Sequence, residues 1–327
     1  MSGRLRPADD PASIDEGARL LREGGVVAFP TETVYGLGAN AFDATAVARV
    51  FEVKARPSFD PLIVHLAAAA DLDRVSTSDD PRAQRLAARF WPGPLTLVLP
   101  RRPELPEIVT AGLDTVGVRV PGHAAARELI RRAGTPVAAP SANPFGYVSP
   151  TTAVHVAELL GDGVDLILDG GPCRVGLESS IVALVSGTPT LLRPGGVARE
   201  EIEEALGAPL AEASAPAERP LAPGQLARHY STRTPVRILS GEAGPCPPDA
   251  GARVGLLAWG DAPGREGYAA VEILAPDGQA GTAAAGLFAA LRRLDALGLD
   301  TILAEPCDEG GLGLAIMDRL RRCAARS

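Results

Sequence analysis

Two short stretches concentrate the side chains able to do chemistry. The first is Pro30-Thr31-Glu32-Thr33-Val34-Tyr35-Gly36-Leu37-Gly38, directly after the apolar run at 26–29. It sets two Thr hydroxyls, a carboxylate, a phenol and two glycines at the carboxyl end of an expected buried strand, the edge where open α/β sheets bind ligands. An ordinary surface turn is the alternative. The second stretch is Lys54-Ala55-Arg56-Pro57-Ser58-Phe59-Asp60-Pro61, leading into Leu62-Ile63-Val64-His65. Its two cations, stiffened by two prolines, make a compact anion-binding corner. Lys supplies a point charge and Arg a planar fork suited to phosphate. A solvated helix end is equally compatible with Lys54, and His65 fits a satisfied core histidine as well as a ligand.

Further polar residues stand at the ends of apolar runs. Ser141-Ala142-Asn143 follows one. Ser149-Pro150 has the form of a helix start, with free amides able to face an anion. Arg119, inside Val-Gly-Val-Arg-Val-Pro, is a charge in an apolar strand and needs a partner, either a protein carboxylate or a substrate carboxylate. Ser179 and Ser180 precede a strand, Arg193 follows one, and Gly195-Gly196 permit close backbone approach.

Several chemistries are excluded or weak. No G-x-x-x-x-G-K-[ST] is present, so a triphosphate would be held by Lys, Arg, Ser and Asn side chains and helix-start amides. Gly36-x-Gly38-x-x-Ala41 matches the dinucleotide fingerprint loosely, but six residues separate the apolar run from Gly36. The fingerprint needs a tight strand–turn–helix. No G-x-S-x-G occurs, and no Ser or Cys has a recognisable base partner. Direct transfer between bound substrates is therefore expected.

The elements that must position these residues read as follows. Residues 13–23 predict a helix capped by Ser13, then a strand at 26–29, a polar loop at 31–38 and a helix from Asp43 to about Val53. Strands follow at 62–66, 95–99, 117–120 and 137–139, a helix from Ser149 to Gly161, and strands at 166–168, 180–185 and 190–192. The pattern is a mixed α/β sheet. From about 207 to 225 Ala, Pro, Glu and Ser dominate without apolar periodicity, which reads as a linker. A second α/β unit has strands at 236–239, 254–258, 270–274 and 301–304, a helix at 282–297 with Leu287, Leu291 and Leu294 on one face, and a last helix at about 313–325.

A chain of 327 residues, 46% hydrophobic, suffices for two domains. Its net charge of −8 argues against a protein dominated by phosphate-backbone contacts, while leaving room for one basic pocket. Cys173, Cys246, Cys307 and Cys323 form no C-x-x-C, so reduced thiols are expected. His65, His123, His155 and His229 show no zinc-ligand spacing, and no metal site is assigned. No signal-like or membrane-spanning run is visible, so the expectation is a cytoplasmic protein with no membrane partner.

The order of these motifs resembles the YrdC/Sua5 family: residues 30–37, Lys54-x-Arg56-Pro57, Pro61-Leu62-Ile63-Val64-His65, Trp91-Pro92-Gly93-Pro94-Leu95-Thr96, Arg119-Val120-Pro121 and Ser141-Ala142-Asn143. Pro223-Gly224 with His229-Tyr230, and residues 311–320, resemble the C-terminal domain of its two-domain form. The resemblance implies a YrdC-like catalytic domain with a twisted mixed sheet at 10–206, a linker at 207–233, and a smaller Rossmann-like α/β domain at 234–327. It implies formation of threonylcarbamoyl-AMP and pyrophosphate from ATP, L-threonine and bicarbonate, with Mg²⁺ accompanying ATP. Downstream tRNA threonylcarbamoyl transferase proteins would pass the group to adenosine 37 of tRNAs reading ANN codons. Carried over by position, Thr33, His65, Arg119, Ala139 and Ser179 bind threonine. Arg56, Asp60, Thr115, Ser141, Asn143, Ser149, Arg193 and Tyr230 bind ATP, and Lys54 and Arg56 act at the reacting phosphate. Ala55 stands where many relatives have Gly, and Asp60 where Asn is usual. Two other readings stand beside this one. One is a non-catalytic tRNA or double-stranded RNA binder, with weak tRNA binding. The other is a carbamoyl-transfer domain of hydrogenase-maturation type, which expects zinc-finger-like and acylphosphatase-like neighbours.

Overall fold

The computed structural model describes residues 4–213, 220–225, 230–239, 251–261 and 266–325. His229, Cys246 and parts of the expected linker lie outside the described residues.

The first unit runs β1 (Leu5–Pro7), α1 (Pro11–Arg22), β2 (Val27–Phe29), β3 (Gly36–Asn40), α2 (Ala44–Lys54) and β4 (Ile63–His65). It continues with α3 (Pro81–Phe90), β5 (Leu95–Pro100), α4 (Glu107–Thr110), β6 (Thr115–Arg119), α5 (Ala124–Ala133) and β7 (Val137–Ala138). Then come α6 (Ala153–Leu160), β8 (Leu166–Asp169), β9 (Ser180–Ala183), β10 (Thr190–Arg193), α7 (Arg199–Leu206) and β11 (Ala211–Glu212). Among the described residues these strands form one mixed sheet in the order β1-β8-β2-β3-β7-β4-β6-β5-β9-β10-β11. The second unit comprises β12 (Val236–Ile238), β13 (Val254–Ala258), β14 (Ala270–Ile273), α8 (Ala280–Asp295), β15 (Thr301–Ala304) and α9 (Gly313–Ala324). Its sheet is parallel throughout, in the order β12-β15-β13-β14.

The central strands are continuous apolar runs because helices cover both faces. On one side, Ile14, Ala18 and Leu21 of α1 meet Leu129, Ile130 and Ala133 of α5 over Val27, Phe29 and Leu168. On the other, Val47, Val50 and Phe51 of α2 and Leu86 of α3 pack over Leu37, Val64, Leu97 and Val118. In the second unit Leu287, Leu291 and Leu294 are fully buried on the one face the sequence predicts.

Four local expectations are corrected. Helix α1 is capped by Asp10, whose carboxylate accepts from the amides of Ala12 and Ser13, and Ser13 merely donates its hydroxyl to the same carboxylate. The loop after β2 ends at Tyr35. Gly36 and Gly38 lie in strand β3, antiparallel to β2, so they form no dinucleotide turn. No helix starts at Ser149: Thr152 caps α6, and Ser149 is buried with its hydroxyl donated to Glu178. The stretch after 207 is not all connection, because β11 pairs in parallel with β10 and Leu210 enters the main core.

Candidate active site

The site is built at the strand ends around β2, β4, β6 and β9. Within the loop from β2 to β3, Thr31 Oγ1 accepts from the amides of Thr33 and Val34 and donates to the Val34 carbonyl at 2.6 Å. This knot turns Thr33 toward Arg119, whose Nη1 donates to Thr33 Oγ1 at 2.9 Å. Arg119, the last residue of β6, also faces Glu32 at 3.9 Å, and Glu32 is fixed by the Gly122 amide at 2.7 Å. Arg119 Nε is buried without a hydrogen-bond partner. The protein carboxylate thus balances the charge, and donor capacity remains for a ligand.

Strand β4 pairs with β6 and brings His65 beside Arg119. Burial, reinforced by Arg119, pulls the His65 imidazole down to about 3, so it is neutral at physiological pH. Its Nδ1 lies 3.2 Å from the Ile63 carbonyl, and its ring meets Phe29 edge-on. His65 is therefore a core histidine and a wall residue at once.

Helix α2 delivers the Lys54–Arg56 corner. Neither cation is at a solvated helix end, since both are buried. Lys54 Nζ donates to the carbonyls of Ser141 and Asn143, tying down the loop after β7. Burial and then Arg56 hold the Lys54 amine well below its ordinary value, with Asp60 opposing. Arg56 donates to the carbonyls of Asp60 and Pro61 and stands 2.9 Å from the Asp60 carboxylate. That contact is ionic rather than an aligned hydrogen bond, because neither oxygen of the Asp60 carboxylate has a hydrogen-bond partner. Burial raises the Asp60 carboxyl against the pull of Arg56, Lys54 and Arg193.

From the far side, Ser179 shares a 2.7 Å hydrogen bond with Thr96, and Arg193 donates to the Ser179 carbonyl and to the Pro223 carbonyl. Gly195 makes this possible: a Cβ there would stand 2.4 Å from the backbone of Glu178 and Ser179. Tyr230 closes the site with φ at +62°, fully buried, stacked on Phe288 of α8.

Thr33, Arg56, His65, Arg119, Ala139, Ser141, Ser179, Arg193 and Tyr230 line a single cavity of about 50 Å³. Lys54, Asp60, Thr115, Asn143 and Ser149, also assigned to the site from the sequence, do not line it. Lys54 and Asp60 stand behind Arg56, coupled to it electrostatically. Thr115 opens β6 with a buried hydroxyl and no hydrogen-bond partner. Asn143 spends its amide on the Pro144 and Tyr147 carbonyls, while its Oδ1 is buried without a hydrogen-bond partner. Two residues the sequence reading does not single out, Glu178 at the wall and Arg319 behind it, join the site by a 2.8 Å ion pair. They lie 141 positions apart, and no spacing rule connects them.

A mixed α/β sheet whose strand ends gather three arginines around a small cavity has the means to hold anions without a P-loop. Residues 19–195 match the Sua5/YciO/YrdC family model, described as "Telomere recombination", and residues 197–325 match "Threonylcarbamoyl-AMP synthase, C-terminal domain". The chain belongs to this family, in its two-domain Sua5 form. It is similar to the threonylcarbamoyl-AMP synthase of Pyrococcus abyssi, at 43% identity over 94% of this chain and 92% of the relative, and to that of Bacillus subtilis, at 44% over 97% and 94%. A shorter relative of the same name from Pseudomonas aeruginosa is 42% identical over 54% of this chain and 94% of its own. The crystal structure of P. abyssi Sua5 complexed with L-threonine superposes with a TM-score of 0.88, at 43% identity, covering 95% of this chain and 94% of that one. A full-length HypF structure at 23% identity and a TM-score of 0.51 shares the fold over 57% of this chain and 30% of its own.

Proposed function

We propose that this chain is a threonylcarbamoyl-AMP synthase, a nucleotidyltransferase that joins ATP, L-threonine and bicarbonate. Bicarbonate and the threonine amine give a carbamate with loss of water. A carbamate oxygen attacks the α-phosphorus of ATP, and pyrophosphate leaves. The product serves downstream tRNA threonylcarbamoyl transferase proteins, in the cytoplasm, at adenosine 37 of ANN-decoding tRNAs.

The observation that carries this reading is the convergence of Arg56, Arg119 and Arg193 on a cavity also lined by Thr33, His65 and Ser179. Two anions must meet for the reaction, and fixed cations in a buried setting lower that repulsion far more than water-exposed ones. Arg119 is assigned to the threonine carboxylate, with Thr33, Ser179, neutral His65 and the Ala139 backbone around it. Arg56, Ser141 and Arg193 are assigned to the nucleotide. Lys54 supports the phosphate end by holding the 141–143 loop, with Asp60 fixing Arg56. Mg²⁺ enters as part of the ATP complex, bound to phosphate oxygens. Among the described residues no group of three or more His, Cys, Asp and Glu stands ready to hold a metal.

The cavity of about 50 Å³ is far below the roughly 300–1,000 Å³ of ordinary ligand pockets. ATP binding therefore requires this cavity to widen, and Pro223 and Tyr230 in its wall would shield a hydrolysable adenylate from water once bound. The test is to incubate the protein with ATP, Mg²⁺, bicarbonate and either threonine or serine. Threonine-dependent pyrophosphate release with an adenylate of threonylcarbamoyl-AMP mass is expected. Salt-dependent tRNA affinity with no adenylate would instead assign a binding module.

A further inference from the structure

Glu178 is the single carboxylate among the described residues that line the cavity. A bare negative charge in that wall would oppose the docking of a triphosphate beside a carbamate. Two groups cover it. Ser149 Oγ donates to Glu178 Oε1 at 2.6 Å, and Arg319 Nε donates to Oε2 at 2.8 Å. Burial alone would lift the Glu178 carboxyl, but Arg319, Arg193 and Ser149 hold it below its ordinary value. Glu178 is therefore ionised, and a buried carboxylate needs a matched cation.

That cation comes from the other unit. Arg319 lies in α9 and is fully buried. Its guanidinium also sits 5.0 Å from the centre of the Tyr230 ring, on which Phe288 stacks at 5.5 Å. Asp318 takes its Nη1 at 2.6 Å, which fixes the fork. One side chain of the second unit thus grips two wall residues of the first unit's cavity, a carboxylate and a phenol.

We infer that Arg319 is a positioning residue for adenylate formation: it neutralises Glu178 and fixes Tyr230, so the nucleotide site is electrostatically complete only with the second unit docked. This rests on the reading of function above. A purely structural ion pair would set the melting temperature and leave substrate affinities alone. Arg319 instead sets the charge that ATP meets, so its loss falls on ATP more than on threonine.

The experiment uses the full chain and follows pyrophosphate release with ATP and threonine varied separately. Wild-type protein showing threonine-dependent release is the prior control, and its absence removes the functional reading without bearing on Arg319. Given that activity, Arg319→Met is expected to raise the KM for ATP by about tenfold or more and the KM for threonine by less than about threefold. Adding Glu178→Gln removes the uncompensated charge and is expected to return the ATP KM to within about threefold of wild type. An unchanged ATP KM in Arg319→Met, or a double variant no better than the single, overturns the inference. Should Arg319→Met fail to fold, the double variant decides alone: an ATP KM within about threefold of wild type supports the role, and a larger rise or a failure to fold overturns it.

Discussion

Arg119 serves the fold and the site with one guanidinium. Its charge balances Glu32, which is 2% exposed, and its Nη1 fixes the Thr33 hydroxyl. The sequence leaves open whether its partner is a protein carboxylate or a substrate carboxylate. The structure supplies the former while leaving Nε without a hydrogen-bond partner. Charge and fork geometry can be separated by substitution. Arg119→Lys keeps a cation opposite Glu32 but loses the planar fork. We expect the KM for threonine to rise by roughly ten- to a hundredfold, the loss of one or two charge-assisted hydrogen bonds, with ATP affinity moved less than about threefold. Titration of threonine at saturating ATP checks this, and an equal rise in both constants would remove Arg119 from the threonine pocket.

At the scale of elements, α2 ties sequence to site most directly. Asp43 starts it by accepting from the amides of Thr45 and Ala46, and its last residue, Lys54, holds the 141–143 loop. It ends at Ala55 with φ at +50°, the left-handed region where a side chain is strained and glycine is not. Ala55→Gly is therefore expected to stabilise the chain by up to about 1 kcal/mol, the relief of strain less the added freedom of the unfolded chain. Urea denaturation measures it, and a loss of stability would contradict the reading of this cap. Elements with strong local signals are legible in the sequence: α2 from its cap, β4, β5 and β13 from apolar runs, α8 from its leucine face. Strand β3 is not, because Gly-Leu-Gly-Ala-Asn has none of the β-branched or aromatic side chains that mark strands. Its glycines answer to tertiary contact, since a Cβ on Gly38 would stand 2.6 Å from Val137 and 2.7 Å from Phe29. The Ser149 helix start fails for a related reason: a good capping hydroxyl is taken by Glu178, and the cap passes to Thr152. Most of the cavity wall is legible through motif residues close to strand ends. Glu178 and Arg319 are not, because only the docking of α9 brings them together.

At the scale of the whole molecule, the two units share one interior. Val34, Val148 and Leu177 of the first unit belong to the same buried cluster as Leu287, Phe288 and Ile316 of the second. Val34 also lines the cavity, so the wall of the site is backed by the other unit's core. Polar contacts bracket this seam: Tyr147 donates to Asp295 at 2.7 Å, and Arg292 pairs with Glu158 at 2.8 Å. Gly176 meets α8 so closely that a Cβ would stand 2.5 Å from the Ala285 backbone, and its φ of +73° favours glycine in any case. The shorter relative from Pseudomonas aeruginosa matches 54% of this chain over 94% of its own length. Here the second unit backs the wall, through the cluster that holds Val34 and through the pairing of Arg319 with Glu178. A chain ending at Gly207 would lose Tyr230 and Arg319, bare Val34, Val148 and Leu177 to water, and leave Glu178 without its cation. Threonine-dependent pyrophosphate release is therefore expected to fall by about a hundredfold or more in that fragment. Gly176→Val in the full chain tests the same seam without deletion. The added side chain must push the loop off α8, so release should fall while both units keep their secondary structure by circular dichroism. A fragment that makes adenylate at the full-length rate would show that Tyr230 and the docked unit contribute nothing to the chemistry.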